Sequence, residues 1–241
     1  VEKYIPGSNS WETKTSMPTA RMGAVSAAYG NKIYVFGGVV FDFDRKEFSV
    51  SQASEVYDPS LDSWSTIESM PSIDTVVNKV HPVKYGVAYG MAHVIGSKIY
   101  IFSGMKQITY DGRSFDENDR VLVYDTLLDS WATTEVSSSD MDFYGRVSPV
   151  SYYDGSQYVY VLGGARTDSD DKIEYLSSCY KYSVLGGGVE DASGEFDNIP
   201  RLKYKSVSAS FGTAWYVMTG HGDFSPTLDD IEKMDMASSP F

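Results

Sequence analysis

Residues 57–64 read Tyr57-Asp58-Pro59-Ser60-Leu61-Asp62-Ser63-Trp64, and the chain writes this phrase twice more. Residues 4–11 read YIPGSNSW and residues 124–131 read YDTLLDSW. In each, a Tyr leads a Trp by seven positions with a Ser just before the Trp, and the copies stand 53 and 67 residues apart. Self-similarity at such a period marks a repeat architecture, so the repeat is read before any single element.

A second phrase recurs beside the first: KIYVFGG at 32–38, KIYIFSG at 98–104, YVYVLGG at 158–164 and AWYVMTG at 214–220. Tyr34, Tyr100, Tyr160 and Tyr216 align these copies at intervals of 66, 60 and 56 residues. The varying interval places the differences in loops. Each phrase is a short run of β-branched and aromatic residues with almost no polar alternation, which describes a strand covered on both faces. The closing Gly pairs fit positive φ or close backbone approach.

Upstream of each phrase lies another strand and a hairpin turn: Gly30-Asn31, Gly96-Ser97, Asp154-Gly155 and Gly212-Thr213. Small residues crowd these first strands (Ala24, Ser26, Ala27 and Ala28 in the first), as suits strands that converge where space is short. Downstream of the Gly pair comes a variable polar stretch read as loop, then the Tyr strand, a turn and the Trp strand. Two Trp strands end in Met17-Pro18 and Met70-Pro71, and a later unit ends in Ile199-Pro200. No segment reads as an amphipathic helix.

Tandem units of four antiparallel strands with small residues on the first describe β-propeller blades. The Tyr-to-Trp step then crosses the hairpin between the third and fourth strands, and its rings pack blade against blade. The expected fold is all-β: a partial blade at 1–18, blades at about 19–71, 72–139 and 140–200, and a partial blade at 201–241. Three complete and two partial blades imply a piece of a longer propeller, or else a short or irregular one whose ends pair unusually.

Arg21, Ile33-Tyr34, Gly37-Gly38, Tyr57, Trp64 and Met70-Pro71 together resemble one nearly complete kelch repeat, with partial copies through the rest of the chain. The resemblance implies a kelch-type β-propeller of four-stranded antiparallel blades. The Trp-Asp dipeptide of the rival propeller class does not occur. The departures are Ser103-Gly104 in place of a Gly pair, no Met-Pro after Trp131, and a unit without the Trp, where Phe196 is read as its replacement. Met234 stands where the last Tyr is expected.

At 241 residues the chain can bury a sizeable core. A net charge of −13 speaks against nucleic acid as a partner, since that class shows a basic footprint. One cysteine, Cys179, allows no internal disulfide, and no apolar run is long enough to be a transmembrane segment. A single Cys and an acidic composition lean towards an extracellular or cell-surface setting.

A propeller binds through the loops of its faces. The loops entering the first strands and leaving the second strands supply the candidate ligand or partner residues: Arg21, His81, Lys84, Tyr85, Tyr110, Arg113, Arg146, Arg166, Lys203 and His221. Arg21, Arg146 and Lys203 fall at nearly equivalent positions, with Lys84 close. Two readings of this basic position stand side by side. It forms a basic channel mouth for a ligand, or it is a structural feature pairing with a neighbouring blade's carboxylate. His93 reads as a polar filler of the channel. No catalytic set, metal site or cofactor motif is legible: there is no phosphate loop, Cys/His cluster or nucleophile elbow. The copper-oxidase branch of the family needs a crosslinked Tyr-Cys pair with histidine ligands, and Cys179-Tyr180 has no His pair placed to help.

The favoured reading is a non-catalytic recognition or scaffold module that binds another protein through its loop face. The alternative is a carbohydrate-binding or carbohydrate-active propeller, resembling the sialic-acid epimerases, that takes an acidic sugar at the basic mouth. A third is a structural element of a cell-surface array.

Overall fold

The structure, a computed structural model, describes residues 1–44, 46–72, 86–108, 115–118, 120–134, 145–168, 170, 172–196, 207–211, 214–222 and 225–235. Strands β1 (Glu2–Ile5) and β2 (Ser10–Thr13) pair antiparallel, with Tyr4 opposite Trp11. The next stretch gives β3 (Val25–Tyr29), β4 (Lys32–Phe36), β5 (Val39–Asp42), β6 (Glu47–Val50), β7 (Ser54–Asp58) and β8 (Ser63–Thr66). Of these, β3, β4, β7 and β8 form a four-stranded antiparallel sheet, and β5 with β6 a separate hairpin. The pattern recurs in β9 (Met91–Ile95), β10 (Lys98–Phe102), β11 (Met105–Ile108), β12 (Phe115–Glu117), β13 (Val121–Asp125) and β14 (Ser130–Thr134). It recurs again in β15 (Val150–Tyr153), β16 (Tyr158–Leu162), β17 (Ala165–Thr167), β18 (Ile173–Tyr175), β19 (Cys179–Ser183) and β20 (Val189–Asp191). A three-stranded sheet of β21 (Val207–Phe211), β22 (Ala214–Gly222) and β23 (Ser225–Asp235) follows. Innermost strands lie side by side, β3 against β9, β9 against β15 and β15 against β21, which is the order of propeller blades.

The second strand of each blade is apolar because both its faces are covered. On β10, Ile99 and Ile101 belong to a cluster with Val25, Tyr34, Phe36 and Met70 of the preceding blade. Phe102 on the same strand joins Val159, Val161 and Tyr182 of the following blade. Ile33, Ile99, Val159 and Trp215 stand opposite Tyr57, Tyr124, Tyr182 and Met234, so Met234 does take the Tyr position. The Trp131 ring sits 5.2 Å from Phe36 of the preceding blade, edge-on at 79°.

The residue two before Trp64 and Trp131 clamps its blade to the one before. Asp62 accepts the Tyr57 hydroxyl at 2.5 Å and the main-chain N–H of Thr15 at 2.9 Å, while Trp64 Nε1 donates to the Thr15 carbonyl at 3.0 Å. Asp129 repeats this on Tyr124 at 2.7 Å and the Glu68 N–H at 2.8 Å, with Trp131 Nε1 on the Glu68 carbonyl at 2.9 Å. Asn9, Asp62, Asp129 and Gly187 occupy this one repeat position with φ of 49°, 47°, 47° and 72°, a region that Gly, Asn and Asp tolerate best. The Asn9 side chain holds the Tyr4 hydroxyl at 2.8 Å, and Trp11 beside it is 68% exposed.

The Gly pair is a close approach. Gly37 has φ 60°, and a Cβ there would fall 1.9 Å from the Val87 carbonyl oxygen. The N–H of Gly38 donates to that same oxygen at 2.8 Å. In the next blade the Gly104 N–H donates to the Arg146 carbonyl, with Ser103 carrying the positive φ.

Two expectations are corrected. The stretches after the Gly pairs are β-hairpins, because Val39 and Val50, Met105 and Phe115, and Ala165 supply apolar residues that pack together at their roots. Phe196 does not replace the missing Trp: Val189 stands opposite Tyr182 in that place. Phe196 lies beyond the strand and packs on Tyr160 at 5.4 Å and Trp215 of the next blade at 6.0 Å.

Candidate functional site

The hairpins β5–β6, β11–β12 and β17–β18 rise from one face of the propeller, each from the end of a blade's second strand. Each is tied to the loop that leads into its own blade. Met22 pairs with Val39, Ala88 with Met105 and Val147 with Ala165, through reciprocal main-chain hydrogen bonds of 2.7–3.0 Å. The leading loops are stitched to one another in turn, Tyr89 N–H to the Gly23 carbonyl at 2.7 Å and Ser148 N–H to the Tyr89 carbonyl at 2.9 Å. Gly23, Tyr89 and Ser148 share a left-handed backbone at φ 62°, 54° and 52°. The Tyr89 ring lies where a Cβ on Gly23 would stand.

Neighbouring hairpins also hold one another. β6 lies beside β11 and β12 beside β17. Thr167 donates its N–H to Glu117 at 2.6 Å and its hydroxyl to the Phe115 carbonyl at 3.1 Å. Burial pushes the Glu117 carboxyl up against that N–H bond. Beneath, Val39, Val50, Ala88, Met105, Phe115, Val147 and Ala165 form a single apolar cluster. The face is therefore a crown with its own core rather than a set of independent loops.

Arg21 and Arg146 occupy one repeat position, each just before the residue that pairs with a hairpin. In the blade between them that position is Val87, not Lys84. Both guanidinium groups are directed into their own blades, although Nε and Nη1 of Arg21 have no hydrogen-bond partner among the described residues. Arg21 lies 3.0 Å from Glu55 and donates to the Val35 carbonyl at 3.2 Å, with the two charged side chains 0% and 4% exposed. Thr19 donates to the other Glu55 oxygen at 2.7 Å. The carboxylate is thus supplied by the same blade's β7 rather than by a neighbour. Burial pulls Arg21 down and Glu55 opposes the shift. Arg146 donates to the Gly163 and Ser178 carbonyls, both at 2.9 Å, and to the Ser178 hydroxyl at 2.7 Å. Its guanidinium also lies over the Tyr180 ring at 5.1 Å.

Arg146 and Arg166 converge on one cleft of about 330 Å³, lined also by Glu174, Tyr175, Ser178 and Tyr180. Arg146 is buried in its floor, while Arg166 on β17 meets Glu174 on β18 at 2.7 Å in a half-exposed pair. Of the other residues singled out from sequence, His81, Lys84, Tyr85, Tyr110, Arg113 and Lys203 lie outside the described residues, and His221 is a residue of β22. Sequence reasoning passed over Glu55, the partner of Arg21, and the ring of Phe48; it placed Phe41 and Phe43 in a loop of the binding face without choosing them as candidates.

His93 lies between innermost strands, with Nε2 2.7 Å from the Ser151 hydroxyl of the next blade, and burial pushes it down to about 4. The Ser208 hydroxyl donates to the Ser151 carbonyl at 3.1 Å and carries the chain on to β21. Cys179 is fully buried and burial pushes its thiol up to about 12, which suits packing rather than nucleophilic chemistry. Among the described residues no group of three His, Cys, Asp or Glu side chains is placed to hold a metal, and no helix is long and apolar enough to cross a membrane.

The family model of the kelch motif matches residues 20–71. Over 71 residues the chain is 42% identical to an F-box/kelch-repeat protein of Arabidopsis thaliana, covering 30% of this chain and 14% of that protein. Over 227 residues it is 25% identical to the kelch-like protein terF of Aspergillus terreus, covering 92% of this chain and 43% of the other. The chain thus spans less than half the length of the curated relatives it matches. The solved structure of YjhT superposes on 95% of this chain and 86% of its own, with a TM-score of 0.56 at 13% identity, a likeness of fold alone.

Proposed function

We propose that this chain, a kelch-repeat β-propeller, is a non-catalytic recognition module that holds a protein partner on the face built by its leading loops and hairpins. The observation that carries the reading is the shared core of the three hairpins. A face tied to its own propeller by paired strands is pre-organised, so a partner meets it at little ordering cost. The cleft between Arg166, Glu174, Tyr175 and Tyr180 adds the Arg and Tyr side chains that favour protein interfaces. Tyr110, Arg113, His81, Lys84, Tyr85, Lys203 and His221 belong to the same reading by their place in the repeat. The acidic-sugar reading leaned on Arg21 and Arg146, whose guanidinium groups are turned into their own blades.

The test is affinity capture from an extract of the source organism, with quantitative mass spectrometry of what is retained. Three baits are compared: wild type, Arg166→Glu on the face, and Leu127→Asp on the exposed turn between β13 and β14. Proteins retained by wild type and Leu127→Asp but lost by Arg166→Glu are the expected result. An identical set on all three baits refutes the proposal. A thermal-shift panel of sialic and uronic acids decides the rival. A rise in Tm that Arg166→Glu abolishes would transfer the site to carbohydrate.

A further inference from the structure

The three complete blades are not joined alike. The first, of β3, β4, β7 and β8, is clamped to the hairpin before it by Asp62 and the Trp64 indole, both on Thr15. The second, of β9, β10, β13 and β14, is clamped to the first by Asp129 and the Trp131 indole, both on Glu68. In the third, of β15, β16, β19 and β20, Gly187 stands in the place of the Asp and Val189 in the place of the Trp. Glycine has no carboxylate and valine no indole N–H, so the third blade holds neither half of the clamp.

The innermost strands repeat the difference. β9 and β15 lie close over less of their length than β3 and β9 or β15 and β21. Between the first and second blades Ala27, Ala92 and Val94 pack into one apolar cluster. Between the second and third, His93 on β9 meets Ser151 on β15, with Nε2 2.7 Å from the hydroxyl. The titratable groups that face His93 are Tyr100, opposite it on β10, and Tyr153 on β15, whose ring is 6.3 Å away. Asp154, at the end of β15, acts on Tyr153, whereas burial is what moves His93. An imidazolium in this place would be charged and largely cut off from water, so taking up a proton favours parting of the strands that bury it.

The two faces of this seam are held differently. At the crown, Thr167 bonds Glu117 and the Phe115 carbonyl across it. At the opposite face, where the β13–β14 and β19–β20 turns lie, the clamp is missing. Between them the filling is apolar: the Phe102 ring stands 5.2 Å from Tyr182, with Met91, Val121, Val159 and Val161 around it.

We propose that the propeller opens first at the seam between its second and third complete blades, hinging at the crown, with His93 as the catch that a proton releases. Opening admits water to the imidazole and uncovers Val121, Val159 and Val161. The ring titrates at about 4 in the closed seam and at its ordinary 6.5 once hydrated, so the open population rises about twentyfold between pH 7 and pH 5.

The test is the rate at which buried cysteines react with a pyridyl disulfide reagent that works in acid, in the folded full chain with Cys179→Ala as background. Each rate is divided by that of the urea-unfolded chain at the same pH. Val159 and Ile99 stand at one repeat position, opposite Tyr182 and Tyr124, and both are fully buried, one in each seam. Val159→Cys is expected to label faster than Ile99→Cys at pH 7, although Ile99→Cys removes more of the side chain and so favours its own seam. At pH 5 the rate at Val159→Cys should rise about twentyfold, that at Ile99→Cys by less than about twofold, and His93→Gln should abolish the rise. Val121→Cys, buried in the same seam from the second blade, is the probe should Val159→Cys fail to fold. Equal labelling of the two seams at pH 7, a rise in acid that Ile99→Cys shares, or a rise that survives His93→Gln overturns the proposal.

Discussion

Truncating the clamp residue of the second complete blade, Asp129→Ala, should destabilise the chain by about 2–4 kcal/mol. Three contributions lead there. The Glu68 N–H, bonded to Asp129 at 2.8 Å, is exposed and recovers water when the carboxylate goes, so its loss is small. The Tyr124 hydroxyl, bonded at 2.7 Å, belongs to a side chain 1% exposed, and orphaning it costs about 1–3 kcal/mol. Ala at φ 47° adds about 1 kcal/mol of left-handed strain that Asp tolerates better. Asp129→Asn keeps an acceptor and the left-handed backbone, and should cost less than about 1 kcal/mol, the charge-assisted part of the bonds. Asp129→Gly keeps the backbone and loses the bonds, and falls between. The expected order of stability is Asn, then Gly, then Ala. Asn9 is the built-in control: it has the same φ, but among the described residues no main chain from a preceding blade lies on it. Asn9→Ala also releases the Tyr4 hydroxyl, but on an exposed ring that water reaches, so it should cost little beyond the strain of about 1 kcal/mol. Urea unfolding followed by Trp fluorescence reads all four variants as shifts in midpoint at constant slope. If Asn9→Ala costs as much as Asp129→Ala, or if Asp129→Gly is silent, the buried Tyr124 hydroxyl gains nothing from Asp129 and this reasoning is wrong.

Three further outcomes follow from the same geometry. Gly37→Ala forces a Cβ against the Val87 carbonyl oxygen and should cost several times the roughly 1 kcal/mol expected of Gly30→Ala, where φ is 58° but the space is open; thermal melts compare them. His93 is held at about 4 in the fold against its ordinary 6.5, so the unfolded chain takes up the proton first. Stability is complete above about pH 6.5 and falls towards pH 4 with a slope of up to about 1.4 kcal/mol per unit; a His93→Gln variant whose pH profile of Tm matches wild type over that window would refute this. Cys179, with its thiol raised to about 12, should resist iodoacetamide at pH 8 in the native chain and react once urea unfolds it, and rapid native labelling would contradict its burial.

The repeats were legible because both phrases are apolar and aromatic at fixed spacing, and those residues do occupy the blade strands. The clamp was legible too, since Asn9, Asp62 and Asp129 all stand two before a Trp, but attention to the rings passed over the carboxylates between them. The hairpins were harder. Val39-Val40-Phe41 and Phe48-Ser49-Val50 are strands of the ordinary half-buried kind, yet their core is assembled from three hairpins and two leading loops. No single window contains that core, so local polarity alone suggested loops. For the same reason Arg21 and Arg146 read as a shared cationic mouth. Their repeat position was visible, whereas their acceptors lie 14 to 34 residues away along the chain.

In a repeat protein, what recurs at equivalent positions answers a problem that every blade shares, and what occurs once answers a problem of its own. Arg21 and Arg146 recur in two of the three blades, Arg21 held by Glu55 and the Val35 carbonyl and Arg146 by the Gly163 and Ser178 carbonyls. The Asp clamp, the left-handed position of Gly23, Tyr89 and Ser148 and the close approach at the Gly pair recur as well, and each joins one blade to the next. The hairpin tips do not recur. At the place where β5–β6 sets Phe41 against Phe48, the equivalent pair is Gln107 with Asp116 on β11–β12, and Thr167 with Ile173 on β17–β18. All three hairpins are built alike at the root, where Val39, Met105 and Ala165 enter one core, and differ where they meet solvent. Under the recognition reading proposed above, specificity would rest with the tips rather than with the basic position that first drew attention. Exchanging Phe43, 84% exposed, should change what the propeller binds and leave its Tm unmoved, whereas Arg21→Ala should lower Tm by stranding the buried Glu55. An Arg21→Ala chain with unchanged Tm and altered binding would reverse that division.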